Sequence, residues 1–132
     1  MSPSPLTKKL LLKPGQRGAL MAAPPGYRDL LDPLPEGVDL SDGGGDDLDW
    51  AMLFATSAAD VEAKLVAVVA AVRPDGLIWI CYPKGGPKAG TDLNRDILWE
   101  LVGRMGLTGV TLVSIDDRWS AMRFRPPERV GS

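Results

Sequence analysis

Two apolar runs, LDWAMLFAT (48–56) and LIWICYP (77–83), flank the segment SAADVEAKLVAVVAAVRPDG (57–76). This strand–helix–strand unit constrains the fold more than any other feature of the chain. The second run is apolar on both faces, as a central strand of a parallel sheet must be. Ser57 is a good N-cap, and Asp60 three residues later completes a capping-box pattern. Alanine and leucine fill the helix, and Pro74-Asp75-Gly76 is expected to end it. Its valines cost some helix propensity, so burial against a sheet has to offset them.

The rest of the chain continues the alternation. SPLTKKLLL reads as a short helix stopped by Lys13-Pro14-Gly15. GALMAA (18–23) reads as a buried strand, stopped by the prolines of PPGY, with Gly26 permitting a turn. YRDLLDPLP has the composition of one or two helical turns, ended by Pro33 and Pro35. GVDLSDGGGDD is a short strand followed by a glycine- and acid-rich loop. A helix is expected over 92–105, where Leu93, Ile97, Leu101, Val102 and Met105 recur at helical spacing. GVTLVSI and WSAMRF form a hairpin around Asp116-Asp117-Arg118. Strands alternating with helices imply a parallel sheet covered on both faces, and the short last connection implies an antiparallel closing pair. The 132 residues are the size of one domain. The division is an N-terminal arm (1–17), one α/β domain (18–127) and a tail (128–132).

Several chemistries are excluded outright. The chain has no histidine, so it holds no Ser-His-Asp or Cys-His unit and no His-ligated metal. Its single cysteine, Cys81, lies in an apolar strand and reads as a buried structural thiol; it has no disulfide partner within the chain. A net charge of −2 draws the chain neither to nucleic acid nor to a membrane surface. The run LVAVVAAV (65–72) is too short to span a bilayer, and the first residues lack a signal-peptide core, so a cytoplasmic protein is expected. Acids crowd between Asp29 and Asp60 without a single Lys or Arg, and the basic residues gather at the two ends. These read as solvated loops and tails.

Ligands of open α/β sheets bind outside the carboxyl ends of the parallel strands. Lys84, Thr91, Asn94, Asp116 and Trp119 converge there if the topology holds. The loop KGGPKAGT joins lysines and glycines to a helix N-terminus, which favours an anion; it is not a Walker loop. Each residue also has a structural reading. Thr91 is a helix N-cap, and Lys84 pairs with Asp116 or Asp117 rather than with a ligand. Asn94 falls within the apolar stripe and faces the sheet edge. Asp116 and Asp117 are common turn formers, and Trp119 packs in the core. Trp99, opposite the stripe, is either an anchor for a second subunit or partner, or a lone exposed ring.

The segments KPGQR, APPGY, YPK, TDLNRD and DDRWSAMRF resemble a family of small bacterial proteins of unknown function described as methyltransferase-like. The resemblance spans residues 6–125. It implies a Rossmann-like three-layer sandwich, a shortened class I methyltransferase fold with a mostly parallel sheet and a C-terminal antiparallel hairpin. In true methyltransferases a glycine-rich loop follows the first strand. Here that place reads Met21-Ala22-Ala23-Pro24-Pro25-Gly26-Tyr27, with one glycine and two prolines that lack backbone donors. Asp39 or Asp42 is only a weak match to the ribose-binding acid, and no Asn/Asp-Pro-Pro-aromatic motif follows residues 48–56. The resulting expectation is a non-catalytic binding or regulatory domain without cofactor or metal. It would recognise a small anionic ligand or a protein partner, form a homodimer, and bind neither nucleic acid nor membrane. The alternative is a minimal S-adenosylmethionine-dependent methyltransferase with a degenerate cofactor loop.

Overall fold

The computed structural model describes residues 5–24, 26–32, 34–42 and 46–125. Pro25, Pro33, the glycines 43–45 and the 128–132 tail, each of which carried an expectation above, lie outside them. Six strands form one sheet: β1 Arg17–Met21, β2 Asp39–Asp42, β3 Leu48–Phe54, β4 Val72–Pro83, β5 Thr108–Ser114 and β6 Trp119–Arg125. Their spatial order is β2-β1-β3-β4-β6-β5. The first four run parallel, and β6 lies antiparallel between β4 and β5. The fold is a mixed α/β sandwich with a mostly parallel sheet and a C-terminal hairpin.

Side chains alternate across the pleat and build two cores. Ala51 and Leu53 of β3, Ile78 and Ile80 of β4, and Met122 and Phe124 of β6 face one side. Helices α2 (Ala58–Ala71) and α3 (Arg95–Arg104) both pack there, through Val61, Leu65 and Val68 and through Leu98, Leu101 and Val102. Trp50, Met52, Phe54, Trp79, Cys81 and Ala121 face the other side. No long helix covers that face among the described residues. A five-residue helix α1 (Pro5–Lys9), the chain through Leu12 and a 3₁₀ turn (Tyr27–Leu31) do so instead, burying Leu10, Leu12, Tyr27 and Leu31. The 3₁₀ turn stands where one or two helical turns were expected.

The arm is fastened by a shared acceptor. The indole N–H groups of Trp50 and Trp79, on neighbouring strands, both donate to the Leu10 carbonyl oxygen at 2.9 Å. A carbonyl has two lone pairs, so one peptide group satisfies two buried donors that would otherwise each cost about 1–3 kcal/mol. That carbonyl is aimed by a helix-ending turn. Leu12 N–H donates to Thr7 O and Leu11 N–H to Lys8 O, a Schellman arrangement with Leu11 rather than glycine in the left-handed position, φ 60.

Two boundaries differ from the sequence reading. Helix α2 ends at Ala71, because Val72 is already extended (φ −94, ψ 134) and pairs with Leu48 of β3. The register then shifts, so that Trp50 opposes Leu77. Pro74-Asp75-Gly76 therefore lies in an irregularity within a strand of 12 residues and does not terminate the helix. Gly76 is required there, since a Cβ would meet Val72 Cγ1 and lie 3.0 Å from Leu48 O. Helix α3 begins at Arg95, three residues later than expected, because residues 91–94 are held by their own side-chain hydrogen bonds. Its buried stripe is Leu98, Leu101 and Val102; Ile97, expected in that stripe, is 43% exposed.

Candidate functional site

The chain leaves β1 toward β2 on one side and β3 toward β4 on the other, so the sheet's switch point lies between β1 and β3. At its carboxyl edge opens a cavity of about 480 Å³ lined by Pro24, Thr56, Pro83, Lys84, Asp117, Arg118 and Trp119. Pro24 follows β1, Thr56 follows β3, Pro83 ends β4 and Lys84 follows it, Asp117 and Arg118 lie in the β5–β6 turn, and Trp119 begins β6. The backbone entering the cavity from β1 is unusual. Ala22 holds φ 58, a left-handed angle that glycine adopts more readily.

Asp116 organises the hairpin side. Its Oδ1 accepts the backbone N–H groups of Arg118 (2.8 Å) and Trp119 (2.9 Å), an Asx-type turn. Its Oδ2 accepts the Tyr27 hydroxyl at 2.9 Å, tying the segment after β1 to the hairpin tip. Burial alone would raise the Asp116 carboxyl, but the Arg118, Tyr27 and Trp119 hydrogen bonds, aided by the Lys84 charge, hold it below the usual range. Burial, then Asp116, pushes the Tyr27 hydroxyl far above its ordinary value. Tyr27, Phe54 and Trp119 pack edge to face, with centroids 4.6 Å apart for Tyr27–Phe54 and 5.1 Å for Phe54–Trp119. Beneath them Cys81 is fully buried, and that burial raises its thiol well above normal.

The structure brings together only part of the expected set. Lys84 and Trp119 line the cavity, and Asp116 lies behind its wall. Lys84 does not ion-pair with Asp116 or Asp117. Its Nζ donates to Ser114 Oγ at 2.6 Å, and its backbone N–H donates to Arg118 O at 2.8 Å. Thr91 is buried and caps no helix; its Oγ1 accepts Leu93 N–H at 3.0 Å. Asn94 is exposed and is itself the N-cap of α3, accepting Ile97 N–H at 2.8 Å, and it does not line the cavity. Between them Asp92 accepts Ala58 N–H at 2.9 Å, joining this segment to the start of α2. Asp60 reaches past Ser57 to the Thr56 backbone and hydroxyl, while Ser57 caps α2 as expected. Trp99 lies away from the cavity, 48% exposed, with its ring over Gly109 of β5.

Sequence reasoning missed Pro24, Thr56, Arg118 and Tyr27. Tyr27 had a usable signal: a tyrosine beside an apolar segment buries its ring and so must find a hydrogen-bond partner.

Neither a family model nor a curated protein matches the sequence. Solved structures do. A SAM-dependent methyltransferase from Aquifex aeolicus superposes with a TM-score of 0.69 at 11% identity, over 90% of this chain and 86% of that one. The DhpI–SAH complex gives 0.61 at 14% identity, over 95% and 84%. LepI in complex with SAM gives 0.54 at 18% identity; 92% of this chain corresponds to 39% of LepI. The fold is methyltransferase-like and Rossmann-like. The methyltransferase-like fold was expected, but the accompanying expectation of no cofactor is overturned: several matched structures of this fold are complexes with SAM or SAH. The left-handed angle at Ala22 shows that a backbone shape associated with glycine can be adopted without one.

No helix among the described residues is long and apolar enough to cross a membrane.

Proposed function

We propose that this chain binds S-adenosylmethionine at the carboxyl edge of its sheet and acts as a small methyltransferase. The observation that carries the reading is the cavity of about 480 Å³ at the switch point of a methyltransferase-like fold. Its volume falls within the roughly 300–1,000 Å³ usual for small-molecule sites. The fold likeness favours this reading over a non-catalytic binding domain.

The residues present fit such a group. Ala22 takes a left-handed angle just after β1, and Pro24 and Thr56, which follow β1 and β3 on either side of the switch point, both line the cavity. Pro24 and Thr56 would border the cofactor, with the Thr56 oxygen, whose proton goes to Asp60, left as an acceptor; when bound, the cofactor supplies an activated methyl group on a sulfonium. The Tyr27–Asp116 hydrogen bond keeps the β1 side and the hairpin side in fixed relation, and pre-organised walls reduce the ordering cost of binding.

Isothermal titration with S-adenosylmethionine and S-adenosylhomocysteine tests the proposal. Saturable binding of both is expected, with a rise in Tm that grows with ligand concentration. No heat and no thermal shift at millimolar ligand would sink it.

A further inference from the structure

We propose that the hairpin end of this cavity takes a small organic carboxylate with a flat apolar body, and that this molecule is the methyl acceptor. The inference rests on the S-adenosylmethionine reading above. It starts from the charges at that end. Lys84 and Arg118 line the cavity, and neither makes an ion pair among the described residues. Lys84 is the better placed. The Ser114 hydroxyl and the Arg118 carbonyl hold its side chain and backbone against the hairpin, and because Ser114 takes only one of its N–H groups, two further donors remain for a ligand. Asp116, behind the wall, offsets part of this charge from a distance but makes no direct contact with Lys84, its oxygens being taken by Tyr27, Arg118 and Trp119. Asp117 is the single acid in the lining, against two cations. A carboxylate is the complementary group.

The walls specify the rest of the ligand. Trp119 lines the cavity and is braced from behind by Phe54 and Tyr27, so it is a fixed platform. Pro24 and Pro83 add rigid apolar surface. A flat apolar body buries its surface there without ordering any new protein side chain.

The third line of argument is the scarcity of a general base. The chain has no histidine. Both Asp116 oxygens already accept hydrogen bonds and the Tyr27 hydroxyl is committed to Asp116, which leaves Asp117 as the single carboxylate of the lining. An acceptor that arrives as an anion needs no base. Its carboxylate oxygen bonds to the methyl carbon as the methyl–sulfur bond breaks and that electron pair stays on sulfur. The products are a methyl ester and a neutral thioether, and no proton moves.

Benzoate and inorganic phosphate are the probes, titrated into the full chain by calorimetry, alone and with saturating S-adenosylhomocysteine. Benzoate is expected to bind saturably and phosphate not to. Lys84→Met is expected to weaken benzoate by about tenfold or more and leave S-adenosylhomocysteine within about twofold. Arg118→Met should weaken benzoate to a smaller degree, with an unchanged Tm reporting an intact fold. The inference is overturned if benzoate does not bind, if phosphate binds as well as benzoate, or if Lys84→Met leaves benzoate unchanged. It is also overturned if Lys84→Met abolishes S-adenosylhomocysteine binding, because Lys84 would then hold the cofactor. Failure of S-adenosylhomocysteine to bind the unaltered chain is a separate result and sinks the cofactor reading itself.

Discussion

Leu11 holds φ 60 and is 36% exposed. A left-handed angle costs a side-chain-bearing residue roughly 1–2 kcal/mol, and here it lets the preceding carbonyl accept both tryptophan N–H groups. Leu11→Gly keeps the turn and removes the strain. It is expected to raise stability by about 0.5–1 kcal/mol in urea unfolding, after some loss of apolar contact. Asp116 makes the opposite kind of contribution. Its folded pKa is depressed, so the stability it supplies is present above the unfolded value of about 3.9 and is lost as pH falls through the lower folded value. Asp116→Asn should therefore lower the Tm near neutral pH, with the gap from the unaltered protein closing below about pH 4. A Tm difference constant across pH would show that the carboxylate charge is not what matters.

Elements respond at their ends. The change from α2 to β4 happens at one residue, Val72, and Gly76 lets the strand regain its register against β3. Gly76→Ala forces a methyl group onto Val72 and toward two backbone oxygens, Leu48 O and Arg73 O. It is expected to cost about 1–3 kcal/mol, read as a lower urea midpoint with an unchanged slope. Pro-Asp-Gly is an ordinary helix stop, and nothing local distinguishes it from an irregularity in a strand; pairing with β3 made the choice. The start of α3 was misread for a related reason. Thr91, Asp92 and Asn94 are all good caps by type, and only the neighbours show which one caps α3. Asp92 reaches α2, Thr91 turns on Leu93, and Asn94 is left to begin the helix. Asn94→Ala should cost about 1 kcal/mol through loss of that cap.

At the scale of the whole molecule, the two faces of the sheet are covered by different means. Helices α2 and α3 cover one, and short N-terminal pieces cover the other. Removing residues 1–12 uncovers Trp50 and Trp79 and leaves two indole N–H groups without their acceptor. The shortened chain is expected to show red-shifted tryptophan emission and to lose its single cooperative unfolding transition; a native-like transition would show that the arm is dispensable. The same layout explains the position of the cavity. The strands end together at the switch point, and the hairpin returns Trp119 and Arg118 to that edge.

The sequence by itself determined the strand order in the chain, the closing hairpin, the cap of α2 and the absence of histidine chemistry. These are local or compositional, and they follow from periodicity, turn chemistry and residue counts. It also placed Lys84 and Trp119 at the carboxyl edge of the sheet, where both line the cavity. Only the tertiary structure decided what those residues touch. Ser114 engages Lys84, Tyr27 engages Asp116, and Leu10 joins two tryptophans from 40 and 69 residues away. Hydrogen bonds between distant segments depend on how the strands stack side by side, and that order is set by burial of both sheet faces together.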